Sequence, residues 1–393
     1  MFYKSQQVPF ESNVQGRLSH SAKNCIENAM ARLLQTKGVH NAVLGVASGR
    51  GHFCWTGAGG LANGAGRPMD LATPWCIASV TKLFIGTVIM QLQEEGVVHL
   101  DDKLFKYLDQ KLLLGIHKYK GKDLSNTLTL RHLLSHTSGL PEYLTDAPKG
   151  KKGLLEEVVQ HGDKKWDLTE VIGRAKQIES KYAPLDGNKE RKHICYSDTN
   201  FQLLMGVIES VTGKCMVSVF KERIFNPLDL QNTWHPQEVF GATQMHVASI
   251  WAGQEIMHLP QAMVSFGDLY ATAADVLTFM QSLMQGKLFK NPQTLQQMTS
   301  HWNPFGFALV PVAPGWPIEY GLAMMRFRAP GVLKYFIKIP AMMGHSGATG
   351  SWLFYVPQAD LYITGTVNQL TAAPVPFRQV PKLVLNLMKL KDL

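Results

Sequence analysis

The sequence predicts an α+β protein, in which an antiparallel sheet with flanking helices is built from both ends of the chain. Short strand patterns occur near the N-terminus and again in the last third, whereas residues 96–236 carry helical and loop patterns. No internal repeat or linker-like segment separates these parts. The simplest arrangement is a sheet domain formed by residues 1–78 and 240–393, with an all-helical domain, residues 79–239, inserted into it.

The first helix and strands come before residue 60. Residues 21–36 predict a helix, because apolar residues recur on one face and Gly38 follows the pattern. Residues 42–47 and 52–57 predict two strands that form a hairpin across the turn at 48–51. Two strands therefore precede the most apolar segment of the chain.

That apolar segment runs from residue 79 to residue 95. Its apolar side chains have helical spacing and Gly96 ends the pattern, so one long helix is predicted. Ser79 and Lys82 are three residues apart in its first turn and therefore lie on the same face. The N-terminus of a helix also leaves backbone N–H groups without partners, which favours negative charge nearby.

The remaining elements follow the same two patterns. The middle of the chain predicts a short helix over residues 130–135 with Thr129 as its N-cap, two helices within residues 154–178, and a helix over 199–211 that ends before Gly213. The last third predicts helices at 273–284 and 380–390, and strands at 320–326, 333–339, 351–355 and 361–367.

Composition excludes several classes of protein. With 45% hydrophobic and 18% charged residues among 393, the chain has the composition of an ordinary globular protein of enzyme size. It contains no apolar run of the roughly 18 residues that a transmembrane helix needs. Residues 1–7 contain no apolar signal-peptide core, so we expect a cytoplasmic protein, or a periplasmic one if the start is processed.

Cysteine content and charge narrow the range of cofactors and partners. The five cysteines are odd in number and lack C-x-x-C spacing, so we expect buried hydrophobic residues and not disulfides or a metal site. The net charge of +9 comes from lysine-rich segments, which predict solvated loops or a field that attracts anionic substrates. We expect no metal, cofactor or nucleic acid, and the oligomeric state stays open.

Ser79 and Lys82 form a candidate catalytic pair. A desolvated Lys82 can lose its proton and then accept the proton of the Ser79 hydroxyl, which would make the serine a nucleophile. The spacing alone is not specific, because Ser218 and Lys221 repeat it within an ordinary amphipathic segment. Other parts of the sequence have to distinguish the two copies.

Two further motifs follow Ser79 in order, Tyr196-Ser-Asp198 and His345-Ser-Gly347. The ordered set resembles the serine β-lactamase and penicillin-binding-protein superfamily, above all its class C branch with D-alanyl-D-alanine carboxypeptidases, D-aminopeptidases and β-lactamase-like esterases. This resemblance implies a β-lactamase/transpeptidase-like fold with its active site between two domains. It also sets Ser218 aside, because that serine follows the tyrosine motif. The resemblance covers about residues 20–370, with secondary landmarks at 133–140, 196–204, 224–228 and 271–275.

The resemblance assigns a role to each motif residue. Ser79 would form an acyl-enzyme, and either Lys82 or Tyr196 would act as the base. As a base, Tyr196 would need a nearby cation to stabilise its phenolate. The backbone N–H groups of Ser79 and Ala348 would form the oxyanion hole, and Gly347 would let substrate backbone approach closely. The expected substrate and oxyanion residues are Asp198, His345, Ser346, Gly347 and Ala348.

Two positions depart from the family pattern. Asp198 stands where the family usually has asparagine, so it cannot donate an amide hydrogen to a substrate, and it should hold Lys82 protonated. His345 replaces the lysine of the β-lactamase motif and so removes a fixed positive charge. Both departures favour hydrolysis of small esters or amides over hydrolysis of β-lactams.

The sequence therefore predicts a serine hydrolase of the esterase type that acts on small acyl substrates through an acyl-enzyme. The alternatives are a β-lactamase, a D-alanyl-D-alanine carboxypeptidase or a D-aminopeptidase, and beyond these an acyltransferase or a catalytically silent binding protein. An α/β-hydrolase is excluded, although residues 344–348 approach its G-x-S-x-G motif. That fold places its catalytic histidine after the serine, and no histidine follows His345.

Overall fold

A computed structural model describes residues 9–184, 194–241, 245–307, 317–328 and 340–390 of the chain. The strands within these ranges are β1 (Phe10–Gly16), β2 (Asn41–Ser48), β3 (Phe53–Gly60), β4 (Trp75–Cys76), β5 (Lys118–Tyr119), β6 (Lys122–Asp123), β7 (Thr233–Trp234), β8 (Ile250–Ala252), β9 (Glu255–Met257), β10 (Tyr270–Ala271), β11 (Asn303–Phe307), β12 (Pro317–Tyr320), β13 (Met325–Phe327), β14 (Met342–Ser346), β15 (Trp352–Val356) and β16 (Leu361–Thr366).

The helices described in the same ranges are α1 (His20–Leu34), α2 (Thr81–Glu94), α3 (Gln110–Leu113), α4 (Leu130–Leu134), α5 (Leu154–His161), α6 (Leu168–Ala175), α7 (Asp198–Thr212), α8 (Met216–Phe220), α9 (Pro236–Val239), α10 (Pro260–Phe266), α11 (Ala273–Met284), α12 (Pro292–Ser300) and α13 (Val375–Leu387).

The largest sheet among the described residues is antiparallel and takes its strands from both ends of the chain. Its order is β1-β3-β2-β16-β15-β14-β13-β12-β11. The N-terminal and C-terminal strands meet where β2 pairs with β16, with Val46 opposite Ile363. The predicted fold class, an antiparallel sheet built from both termini with helices around it, is confirmed.

Both faces of this sheet are covered by helices. Leu353 and Tyr362 belong to the core shared with α2, α7 and α11, whereas the adjacent Phe354 and Ile363 pack with α1 and α13. This alternation is the period of two expected for strand side chains. In a sheet covered on both sides, the side chains on both faces of a strand are buried. Every residue of β16 is accordingly buried.

Helix α2 lies inside the protein. Nearly all of its residues are buried, including Lys82, because the helix is apolar on every side and contacts α7 and β14. α7 begins after Ser197, whose backbone is extended, and ends at Gly213 in the left-handed conformation, φ +66°. The first and second motifs lie at the N-terminal ends of these two helices, and the third motif lies at the end of β14.

A smaller sheet links the predicted domains. β10 pairs with both β4 and β7, so strands from either side of residues 78 and 239 meet in it. The division into domains at these residues stays a prediction.

Several predicted elements differ from the structure. β1 was not predicted, because most of its residues are exposed at a sheet edge and it has no apolar alternation. The strand predicted at 320–326 is interrupted, since Gly321 N–H donates to the Met324 carbonyl in a tight turn and Ala323 has φ +58°. The C-terminal helix begins earlier than predicted, at Val375. The strand predicted at 333–339 lies outside the described residues.

The cysteines are less buried than predicted. All five are free thiols, but only Cys76 is fully buried, while Cys215 is exposed and the others are partly exposed. The expectation of five buried cysteines is therefore wrong. Among the described residues, no group of histidine, cysteine and acidic side chains is arranged to hold a metal ion.

Over the described part of the chain, no single helix has both the length and the apolar character needed to cross a membrane. One pair, Asp198–Thr212 with Met216–Phe225, meets the criteria of length and composition together, but the two helices are bent by 80°.

Candidate active site

Ser79 lies in a single 3₁₀ turn, Ala78–Val80, between β4 and α2. The residue before it, Ala78, has φ +48°, a left-handed conformation that costs about 1–3 kcal/mol for a residue with a Cβ atom. Hydrogen bonds hold the turn in place, among them a 2.8 Å bond from Ser351 Oγ to the Ile77 carbonyl. The structure thus presents Ser79 on a strained and well-supported turn, half-buried beside the other motifs.

Lys82 lies one turn further on, at the start of α2. Its Nζ is 3.1 Å from Ser79 Oγ and 2.6 Å from Asp198 Oδ1. The contact with Asp198 is too oblique for a well-aligned hydrogen bond, so it is an ion pair. The side chain is 6% exposed and its Nζ also lies 5.2 Å from the centre of the Tyr196 ring and 5.3 Å from that of Phe201. Lys82 is therefore a buried cation in contact with the serine.

Tyr196 is the second residue in contact with Ser79 Oγ. Its hydroxyl lies 3.0 Å from Ser79 Oγ. The residue sits in the extended segment just before α7, and Ser197 Oγ anchors this segment through a 2.8 Å bond to the Pro141 carbonyl. The structure brings together Ser79, Lys82, Tyr196 and Asp198, which lie up to 119 positions apart in the sequence.

His136, which the sequence did not single out as a site residue, supports Tyr196. Its ring is fully buried and stacks on the tyrosine ring, with centroids 4.2 Å apart and an interplanar angle of 27°. Nδ1 accepts hydrogen bonds from Ser197 N–H, at 3.1 Å, and from Asn200 Nδ2, at 3.0 Å. The backbone has φ +54°. The landmark Ser135-His136-Thr137-Ser138-Gly139 carried the signal for this residue.

The protonation states of the two candidate bases follow from their surroundings. Burial lowers the pKa of Lys82, but the carboxylates of Asp198 and Asp268 outweigh it, so the pKa is raised overall. Burial raises the pKa of Tyr196 well above its usual value, and the charge of Asp198 raises it further. At neutral pH both groups therefore carry their protons, and neither is a free base in the resting site.

Two more carboxyl groups lie close to Asp198, and the sequence patterns did not reveal them. Glu142 accepts a hydrogen bond from Asp198 N–H. Burial and the charge of Asp198 raise its pKa to about 8. Asp268 precedes β10, and burial raises its pKa to about 6 although Lys82 opposes the shift. The site therefore contains more carboxyl groups than the charge of Lys82 can compensate.

His345 of the third motif lies in the wall behind the site. Its side chain is fully buried, with Nε2 3.0 Å from the Tyr320 hydroxyl and Nδ1 2.7 Å from the Ser346 carbonyl. Since Nδ1–H donates to the carbonyl, Nε2 accepts from Tyr320. Burial lowers the pKa of His345 to about 3, so the ring is neutral. The residue was expected at a substrate-facing position, and the structure places it inside the protein.

Gly347 packs against the turn that carries Ser79. A Cβ atom on this glycine would lie 2.2 Å from Ser351 Oγ and 2.7 Å from the Ala78 Cβ. The glycine is therefore needed for packing against this turn, and close approach of substrate backbone at Gly347 stays a prediction. Ser346 is partly buried and Ala348 is exposed next to this turn. An oxyanion hole formed by the N–H groups of Ser79 and Ala348 stays a prediction.

The second Ser-x-x-Lys copy has different surroundings. Ser218 Oγ contacts Cys215 Sγ at 3.5 Å, and the ammonium group of Lys221 pairs with Glu238. The Lys221 side chain is 41% exposed. Ser218 is therefore a surface residue of α8 and not a nucleophile.

A small cavity opens beside Lys82. It has a volume of about 30 Å³, enough for one water molecule. Its wall combines charged and apolar side chains: Lys82, Ile85, Tyr143, Asp198, Phe201, Gln202, Met205, Phe266 and Asp268.

The fold and the three motifs together define the class of protein. The profile of the Beta-lactamase family matches residues 24–381, and the chain belongs to this family. The resemblance to serine β-lactamases and penicillin-binding proteins is thus confirmed.

Individual relatives are moderately similar. The D-alanyl-D-alanine-carboxypeptidase/endopeptidase AmpH of Escherichia coli (strain K12) is 26% identical over 222 residues, 56% of this chain and 52% of its own length. The chain therefore spans about half of that relative. A D-stereospecific amidohydrolase from Streptomyces sp. has a TM-score of 0.66 and 25% identity, covering 90% of this chain and 95% of its own. EstCE1, a hydrolase with promiscuous acyltransferase activity, has a TM-score of 0.71 and 21% identity, covering 93% and 98%.

Proposed function

We propose that this chain is a serine hydrolase that forms an acyl-enzyme on Ser79 and hydrolyses small esters faster than β-lactams. One observation carries the proposal: Ser79 Oγ lies between Lys82 Nζ, at 3.1 Å, and the Tyr196 hydroxyl, at 3.0 Å. A hydroxyl held between two proton-carrying groups can be activated for attack and can later receive the proton of a water molecule.

The reaction would follow two steps. Ser79 Oγ attacks the carbonyl carbon of the ester, and the tetrahedral oxyanion is stabilised by backbone N–H groups of the nucleophile turn and of the segment after β14. The alcohol leaves with a proton from the Lys82 and Tyr196 side. Water then attacks the acyl-enzyme and regenerates the serine.

The preference for esters rests on two side chains. Asp198 is bound to Lys82 and has no amide hydrogen to offer a substrate carbonyl. His345 is buried and neutral, so it offers no positive charge to the carboxylate of a penicillin or a peptide. When a substrate carbonyl faces a carboxylate oxygen in place of an amide donor, the transition state loses about 1–3 kcal/mol of stabilisation. That loss corresponds to about one to two decades in rate.

The test compares kcat/KM for p-nitrophenyl butyrate and for nitrocefin on the same preparation. We expect kcat/KM to be at least tenfold higher for the ester than for nitrocefin. Ser79→Ala should abolish both activities. A faster reaction with nitrocefin would replace the esterase assignment by a β-lactamase. Absence of any acyl-enzyme with either compound would favour a silent binding protein.

A second candidate is hydrolysis of an amino-acid amide that carries a free ammonium group. It is favoured by the two carboxylates that act on Lys82 through charge, Asp198 and Asp268, because the single charge of the lysine compensates only one of them. A substrate ammonium would compensate that charge. A D-stereospecific amidohydrolase is among the similar structures, which supports hydrolysis of an amide bond.

The two candidates are separated by a matched pair of substrates. D-alanine p-nitroanilide has the free ammonium group, and its N-acetyl derivative has the same scissile bond without the charge. A strong preference for the free amine would support the amidase. Equal rates for the pair, below the rate for p-nitrophenyl butyrate, would support the esterase.

A further inference from the structure

Attack by Ser79 requires a group that accepts its hydroxyl proton. Lys82 and Tyr196 both contact Ser79 Oγ, and both are protonated at neutral pH. A group that already carries its proton cannot accept another without passing one on. Of these two residues, Lys82 is in contact with a carboxyl group, that of Asp198.

We propose that Asp198 is the terminal proton acceptor during acylation and that Lys82 relays the proton to it from Ser79. The proposal rests on the proposed acyl-enzyme chemistry of Ser79 and deepens it. Its geometric basis is a continuous chain of contacts, 3.1 Å from Ser79 Oγ to Lys82 Nζ and 2.6 Å from Lys82 Nζ to Asp198 Oδ1.

The position of the carboxylate suits this role. Oδ1 of Asp198 lies 2.6 Å from Lys82 Nζ, and among the described residues no other group donates a hydrogen bond to it, so its remaining acceptor capacity is not consumed. The backbone of the residue is held separately, since its N–H donates to Glu142. The relay requires the carboxylate to rotate into line with the ammonium group, and catalytic hydrogen bonds commonly become aligned only when substrate binds.

Burial reduces the energetic cost of the transfer. In water, an ammonium and carboxylate pair is far more stable than the neutral amine and acid. Removing both charges from water disfavours the ion pair and leaves the neutral pair nearly unaffected. Lys82 is 6% exposed and Asp198 28%, so substrate covering the site would exclude most of the remaining water.

The proposed step balances. The Oγ–H proton of Ser79 passes to Lys82 Nζ while another proton of Nζ passes to Asp198 Oδ1, so Lys82 keeps its charge. The oxygen lone pair of Ser79 forms the bond to the carbonyl carbon, and the π electrons move to the carbonyl oxygen. When the intermediate collapses, the bond to the leaving oxygen breaks, and that oxygen takes the proton back from Asp198 through Lys82.

Other titratable groups around Asp198 shape its field. Lys82 faces it from α2, Glu142 and Tyr143 from the segment after α4, Asp268 from the segment before β10, and Tyr320 from β12. Tyr196 lies on the same segment as Asp198. Of these groups, Asp268 influences Lys82 through charge, and no ion pair within 4 Å joins the two among the described residues.

The first experiment measures activation of Ser79 without assuming a substrate. The second-order rate of labelling by a fluorophosphonate probe is followed for the unmodified protein and for Asp198→Asn between pH 6 and 9. We expect the variant to react about 100-fold more slowly at pH 6–7, in the range that general base catalysis contributes. The difference should shrink at higher pH, because in the variant the charge of Asp198 no longer opposes the effect of burial on the pKa of Lys82, so the lysine loses its proton more readily and can act as a free base.

Asp268→Asn is the matched control for charge. Both substitutions remove a negative charge that raises the pKa of Lys82, so both would speed labelling if the free lysine were the base. The relay predicts opposite results, a large loss for Asp198→Asn and no comparable loss for Asp268→Asn. Thermal unfolding of each variant verifies that it is folded.

A measurement on the unmodified protein completes the test. The labelling rate in mixtures of H2O and D2O should curve with deuterium fraction, because two protons move together; a straight line would overturn the relay. Labelling of Asp198→Asn at the rate of the unmodified protein at pH 7 would overturn it as well. If the unmodified protein is not labelled at Ser79, the proposed function itself fails, which is a distinct result.

Discussion

The chain contains two Ser-x-x-Lys segments, which share their spacing but differ in burial and in the residues that they contact. Ser79 and Lys82 lie in the interior, where the lysine side chain is 6% exposed and contacts the serine, Asp198 and two aromatic rings. Ser218 and Lys221 lie at the surface, where the lysine is 41% exposed and pairs with Glu238. In both segments the spacing puts serine and lysine on one face of a helical turn.

The difference shows what a catalytic pair needs beyond its spacing. The surface lysine stays partly solvated, and its ammonium group pairs with Glu238. The buried lysine is desolvated, and its state is set by a few fixed neighbours. Tyr196 supplies the second contact to Ser79 Oγ, and it comes from a different part of the chain.

The largest expected effect is loss of the nucleophile. Ser79→Ala should abolish hydrolysis of p-nitrophenyl butyrate, at least a 1,000-fold decrease in kcat, because no acyl-enzyme can form. Ser218→Ala is the matched control and should keep the activity of the unmodified protein. Mass spectrometry of the labelled peptide locates the nucleophile, and a label on Ser218 or Ser346 would contradict the assignment.

The next effect concerns the two groups that contact Ser79. Lys82→Ala and Tyr196→Phe should each lower kcat by about 100-fold to 10,000-fold, and the double variant should be hardly worse than either. Lys221→Ala, the same change in the surface copy, should leave kcat unaltered. Losses that add fully in the double variant would mean that the two residues serve separate steps.

A smaller effect is expected at His136, which positions Tyr196. His136→Asn keeps a hydrogen-bond acceptor near Nδ1 and a residue that tolerates positive φ, but it removes the stacked ring. We expect kcat to fall about 30-fold, or ~2 kcal/mol, with KM nearly constant. His136→Phe keeps the ring and loses the acceptor, so it should lower thermal stability as well. Equal losses in kcat and in stability for both variants would indicate a purely structural role.

The sequence was sufficient for the parts of the fold that local patterns determine. α11 has the predicted bounds, Ala273–Met284, and the predicted N-cap Thr129 accepts a hydrogen bond from His132 N–H before α4. The order of the three motifs was enough to select Ser79 over Ser218. These features depend on side-chain periodicity, helix capping and motif order, which the sequence shows directly.

Contacts between distant segments could not be predicted in the same way. Glu142 and Asp268 have no motif of their own, and their approach to Lys82 depends on the packing of three separate loops and helices. Nor does the sequence reveal that His345 faces Tyr320, because a β-strand presents alternate residues to opposite faces and the motif does not fix which face. The role of Gly347 likewise emerges only from its contact with Ala78.

The last prediction concerns the pH dependence of stability, which should distinguish the buried copy from the surface copy. A carboxyl group whose pKa is higher in the folded than in the unfolded protein binds more protons when folded. The free energy of unfolding then falls as pH rises between the two values. For Glu142 this interval runs from 4.5 to about 8, and for Asp268 from 3.8 to about 6.

Between pH 6 and 7.5 the interval of Glu142 is the relevant one, so it should lower the free energy of unfolding by about 1–2 kcal/mol over that range. Glu142→Gln keeps an oxygen that can accept from Asp198 N–H and removes the titration, so its stability should decline less with pH in urea denaturation. Glu222→Gln, whose side chain is 51% exposed beside the surface copy, is the control and should decline like the unmodified protein. The same slope in all three proteins would show that Glu142 is not held protonated beside Asp198, and the excess of carboxyl groups around Lys82 would then carry full negative charge.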